Sequence, residues 1–113
     1  MKRLDNLDAM TEFCIERLLA GSEGWRGVVR DIAARWPNVP PMEMVLALVS
    51  AAEAIAGLFG PAGPAREAAT HAWRLAALLA LDVYAMERSG HAHARASDCL
   101  DYWRSKDRYF LDL

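Results

Sequence analysis

Gly60-Pro61-Ala62-Gly63-Pro64 separates two long apolar segments that together run from Met42 to Arg88. Glycine supplies backbone freedom and proline removes an amide donor, so this pentapeptide ends one regular element and starts another. The flanking segments are too long for strands, and their apolar residues recur at intervals of three and four. The pattern predicts two antiparallel helices joined by a tight turn, which must lie side by side.

The first arm, from Pro41 to about Phe59, carries two apolar stripes. Met42, Val45, Val49, Ala52, Ala56 and Phe59 form one, and Met44, Leu48, Ala51, Ile55 and Leu58 form the other. At about 100° per residue the stripes are on the order of 120° apart. Only a narrow arc with Glu43, Ser50, Glu53 and Gly57 is left for water. The second arm, from about Ala65 to Ser89, presents Ala72, Trp73, Ala76, Leu79, Ala80 and Val83 on one face and Glu67, His71, Arg74 and Asp82 on the other. Leu78 and Leu81 interrupt the charged side, with Tyr84 close by. Gly90 suits a left-handed cap.

Elsewhere the pattern is simpler. Leu4, Leu7, Met10, Cys14 and Leu18, with Asp5, Asp8, Glu12 and Glu16 between them, predict an amphipathic helix ending near Gly21. Ser22 can cap a second helix bearing Trp25, Val28, Val29, Ile32, Ala33 and Trp36, which Pro37 stops. Pro37-Asn38-Val39-Pro40-Pro41 is a stiff connector, and Pro41 suits a first helical turn, with Glu43 complementing the dipole. Residues 91–96 are ambiguous between loop and frayed helix. Ser97 and Asp98 open a last helix with Leu100, Trp103 and Phe110 on its apolar side. No stretch alternates at period two. The fold expected is all-α: one domain over residues 1–113, a small bundle of four main helices plus a shorter C-terminal one, with the hairpin central.

Composition matters here through its surplus. In 113 residues, 54% are apolar, above the usual share for a small domain, while 25% are charged. One modest core cannot absorb both stripes easily. Charge is balanced locally as well as overall: residues 1–36 hold six basic and six acidic side chains, and residues 65–113 hold seven of each. Nucleic-acid binding and polybasic membrane anchoring both need clustered positive charge, so neither partner is expected. Uncharged runs such as Met44–Ala52 fall short of the roughly 20 residues of a bilayer span. Met1-Lys2-Arg3-Leu4-Asp5 reaches acid before any apolar run, so no signal peptide is expected. Cys14 and Cys99 sit among apolar neighbours and fit free thiols in a reducing cytoplasm. Abundant alanine and an excess of arginine over lysine suggest a GC-rich bacterial source.

Five constellations bear on chemistry. His91 and His93, with Cys99, Asp98 or Asp101, have the residue types of a zinc shell, but a single His-x-His pair in a connector is a weak motif. Glu67, His71 and Arg74, at i, i+4 and i+7, combine a carboxylate and an imidazole as general-base sites do, yet an exposed helix face has the same spacing. The helices flanking Pro37–Pro41 resemble a helix-turn-helix in layout, while Met42–Phe59 has no Lys, Arg, Asn or Gln to read bases with. Arg26, Arg30 and Arg35 are the residues a DNA-binding alternative would use. Gly57, Gly60 and Gly63 lack the Lys-Ser/Thr of a phosphate loop, and Trp25, Trp36, Trp73 and Trp103 read as core.

The expectation is therefore a non-enzymatic interaction or regulatory protein with no cofactor, forming a homodimer or binding a protein partner through the hairpin. Arg74, Leu78, Leu81, Asp82 and Tyr84 are expected at the interface, with Met44, Leu48 and Ile55 behind them. A small-molecule or metal-dependent enzyme using His71, or His91, His93 and Cys99, is the rival from another class.

Overall fold

The computed structural model describes residues 2–113, with side chains from Asn6 onward. Leu4 and Asp5, which belong to the first helical pattern, lie outside the described side chains. The described chain is helical without strands: α1 Lys2–Leu19, α2 Val28–Arg35, α3 Pro41–Phe59, α4 Pro64–Arg88, α5 Ala96–Ser105 and α6 Tyr109–Asp112. The all-α bundle around a central hairpin is thus observed.

Local stereochemistry sets most of the boundaries. Pro41 and Pro64 open α3 and α4 at positions where the missing amide hydrogen costs nothing. Gly60 and Gly63 turn the chain between them with φ of +82° and +89°. Gly90, at φ +76°, closes α4, and the His91 amide donates to the Met86 carbonyl at 2.8 Å.

Two boundaries differ from the periodicity. The helix expected from Ser22 begins only at Val28, because residues 21–26 fold into turns, with the Gly24 amide donating to the Gly21 carbonyl. Gly24 runs so close to α1 that a Cβ there would stand 1.8 Å from the Arg17 carbonyl oxygen. The last helix also breaks in two. After α5 closes through Lys106, the Asp107 carboxylate accepts the Tyr109 amide, and α6 turns Phe110 inward to 1% exposure.

The proline-rich connector ties distant parts of the chain together. Amides of Ala96 and Ser97 at the start of α5 donate to the carbonyls of Val39 and Pro37 at 2.8 and 2.9 Å. Asp98 completes that start by accepting from the amides of Ala94 and Arg95.

α3 packs most extensively on α4 and next on α1, and α5 packs on α2. Of its two stripes, the inner one holding Met44, Leu48, Ala51 and Ile55 is buried. Ala69, Ala72, Leu75, Ala76, Leu79 and Met86 are buried on α4, so large side chains alternate with alanines on its inner face. Trp73 lies at the flank under the Arg66 guanidinium, and Trp25 and Trp36 are likewise half-buried; only Trp103 is fully enclosed. Glu43, placed by periodicity in the water-facing arc, is 9% exposed, while Met42 and Leu46 face out instead. α3 alone, with 19 residues and a mean hydropathy of 1.8, is long and apolar enough to cross a membrane among the described helices. Its inner stripe lies in the core, and 39% of that apolar segment is buried.

Candidate functional site

The molecule measures 41 × 33 × 20 Å, about two helices deep along its short axis. A central hairpin in so thin a body has one face inside and one outside. On the outer side of α3, Met42 and Leu46 are 50% and 46% exposed, and on α4, Leu81 and Tyr84 are 62% and 60% exposed. The start of α3 and the end of α4 share one end of the hairpin, so all four residues lie toward that end. Ser50, Glu53 and Gly57 on α3, and Thr70, Arg74, Ala77 and Arg88 on α4, continue the exposed surface.

The residues expected at an interface divide into three groups. Arg74, Leu81 and Tyr84 are exposed. Met44, Leu48 and Ile55 are enclosed in the core of the single chain, where they support the hairpin without reaching its surface. Leu78 packs partly against that core, and Asp82 is committed inward: its carboxylate accepts the Trp103 indole N–H at 2.9 Å, joining α4 to α5. Burial pushes the Asp82 carboxyl above the usual carboxylate range, with Asp107 adding to the shift and the indole hydrogen bond opposing it. Periodicity missed Met42 as an outward residue because it heads an apolar stripe. It missed Leu46 because that side chain belongs to neither stripe, although it shares the phase of Ser50 and Glu53.

The opposite end of the hairpin has a different character. Leu58 and Phe59 are 77% and 54% exposed just before the turn. Beside them, the end of α1, the turns after it and the first turns of α4 enclose a cleft of about 170 Å³. His71 reaches this cleft, and its ring stacks on Trp25 with centroids 4.4 Å apart and planes 7° from parallel. Glu67 and Ser22 also line it. No hydrogen bond among the described residues joins Glu67 or Ser22 to His71. The carboxylate–imidazole contact of a general base is not made; the imidazole serves as a flat wall.

The other constellations do not converge. His91 Nδ1 lies 2.7 Å from the Ala92 carbonyl, His93 Nδ1 lies 3.1 Å from the His91 carbonyl, and the His91 ring meets the edge of Tyr102. Cys99 is fully buried, and burial, then Asp82 and Asp98, pushes its thiol up to about 12, so it is protonated at neutral pH. Among the described residues, no three of His, Cys, Asp and Glu come together in a metal-holding group. Arg26, Arg30 and Arg35 have intramolecular partners. Arg26 pairs with Glu23, Arg30 pairs with Asp31 at 3.1 Å, and Arg35 lies over the rings of Phe13 and Trp36.

No protein-family model matches the chain, and no curated protein or solved structure is significantly similar to it.

Proposed function

We propose that this chain is a non-enzymatic interaction module of the bacterial cytoplasm that pairs with a second copy of itself across the outer face of the α3–α4 hairpin. The carrying observation is the cluster of Met42, Leu46, Leu81 and Tyr84, all about half-exposed or more at one end of that hairpin. Scattered exposed leucines are ordinary; four large apolar side chains exposed toward one end of a single hairpin support a contact surface there.

Area and charge both favour a second copy. α3 and α4, with 19 and 25 residues, are about 28 and 37 Å long and each about 10 Å wide, which offers roughly 650 Å² per protomer, within the low end of a standard interface. α4 supplies exposed Arg74 and Arg88, and α3 supplies exposed Glu53. A two-fold axis that sets α4 of one copy against α3 of the other brings arginine opposite glutamate twice, as self-complementary interfaces do.

Burying the remaining half of each apolar side chain contributes on the order of 1 kcal/mol, counted twice by symmetry. Those burials total about 8 kcal/mol and association costs at least about 4 kcal/mol, so the net gain is about 4 kcal/mol at most and the dimer is weak, with a Kd on the order of 1 mM. Sedimentation equilibrium up to about 1 mM protein tests this. Leu81→Asp and Leu46→Asp should each abolish the concentration dependence while leaving the helical circular dichroism unchanged. A wild-type monomer over the whole range would overturn the proposal.

A further inference from the structure

The cleft beside the hairpin turn is separate from the proposed dimer face and has a chemistry of its own. We propose that it binds a small primary amine carrying a single apolar ring.

Its existence follows from small residues. Gly21, Ala65 and Ala68 line it, so the space between the end of α1 and the first turns of α4 is left unfilled by side chains. Leu18, 3% exposed, and Ala68, 9% exposed, belong to its apolar floor. At about 170 Å³ the hollow is smaller than the roughly 300–1,000 Å³ of sites for drug-sized molecules, and suits one ring with a short tail.

The flat wall is held in place. Trp25 lies between two partners: His71 stacks on the indole, and the Arg26 guanidinium sits 4.7 Å from the indole centroid. Glu23 pairs with that guanidinium, so the positive charge is met outside the cleft. An indole fixed between two partners does not swing in to close the hollow, which keeps the apolar space beside it preformed.

Charge selects the other half of the ligand. No lysine or arginine lines the cleft, whereas Glu67 does, and among the described residues Glu67 makes no salt bridge. A carboxylate beside an apolar hollow attracts an ammonium group and repels an anion. The Ser22 hydroxyl supplies a further hydrogen-bonding group at the wall.

Three probes of nearly equal shape separate these contributions: phenethylamine, phenethyl alcohol and phenylacetate, titrated at constant ionic strength into the full ¹⁵N-labelled chain. The readout is the Trp25 indole resonance with the Ser22, Ala65 and Ala68 amides. The amine should bind with a Kd of about 0.1–1 mM, as a ligand of about nine non-hydrogen atoms allows. The alcohol should be at least about fivefold weaker and the acid weaker still. Glu67→Gln should reduce amine binding to the level of the alcohol without changing the alcohol. Ala65→Leu, confirmed as folded by its spectrum, should abolish binding of both. Absence of shifts at 10 mM amine, on the order of ten times the weakest expected Kd, would overturn the proposal. So would phenylacetate binding as well as the amine, or amine affinity unaffected by Glu67→Gln.

Discussion

Replacing Asp82 separates an acceptor from a charge. In the native fold the fully buried Trp103 indole N–H donates to the half-buried Asp82 carboxylate at 2.9 Å. Asp82→Ala removes the acceptor and leaves a buried donor unsatisfied, at a cost of about 1–3 kcal/mol. A domain of this length unfolds with an entropy of roughly 240 cal/mol/K, so each kcal/mol moves Tm by about 4 °C, and Asp82→Ala should melt about 4–12 °C below wild type. Asp82→Asn keeps a carbonyl acceptor and loses only the charge. Because burial raises the folded carboxyl, the native state holds its proton to higher pH than the unfolded chain does. Stability therefore falls as pH rises from the unfolded value of 3.8 through the raised folded one, and the charged form stays penalised at neutral pH. Asp82→Asn escapes that penalty. It should equal or exceed wild type at pH 7, and the difference should shrink on acidification through the folded carboxyl's range. Urea denaturation followed by far-ultraviolet circular dichroism, repeated from pH 3 to pH 8, reads both effects. An Asp82→Ala protein as stable as wild type would show that the indole finds another acceptor. An Asp82→Asn protein as weak as Asp82→Ala would refute the ordering of charge below hydrogen bond.

Cys14 and Cys99 are fully buried and their thiols are pushed up to about 12, Cys14 by burial against an opposing Arg17 charge. Neither should react with a thiol-specific disulfide reagent at pH 8 before unfolding, and both should react at once in 6 M guanidinium; rapid labelling of native protein would contradict their placement. Gly24→Ala should cost more than Gly60→Ala. The first drives a Cβ to 1.8 Å from the Arg17 carbonyl oxygen and forces the turns off α1, whereas the second meets open space and incurs only the backbone strain of φ +82° with ψ −169°, about 1–3 kcal/mol. Thermal melting of the two variants side by side checks the order.

Much of the helical architecture is legible along the chain because it depends on neighbours in sequence. Proline at the first turn of α3 and α4, glycine in the left-handed region at Gly60, Gly63 and Gly90, and apolar residues at three-four spacing act within a few residues of themselves. The break at Gly24 is not of that kind. It reflects a backbone approach to Arg17, which no local preference announces. The split between α5 and α6 turns on the Asp107 carboxylate and on an inner site for Phe110, again a matter of packing.

Helical phase orders the residues around each axis, yet it does not say which arc meets a neighbour. The two stripes of α3 were equivalent by period, and only the arrangement of α1 and α4 around that helix chose Met44, Leu48 and Ile55 for the core and left Met42 outside. Asp82 shows the same division. Its place on the charged side of α4 follows from 100° per residue, but its indole partner lies on α5, and the docking of α5 through the Pro37 and Val39 carbonyls is what brings Trp103 to it. The cleft at Trp25 and His71 likewise joins a turn after α1 to a helix after the hairpin. The amino-acid order settled most of the places where helices begin and end, and which residues share a side. The packing of those sides decided what is buried, what is paired and what is left open, because those energies belong to contacts between distant residues.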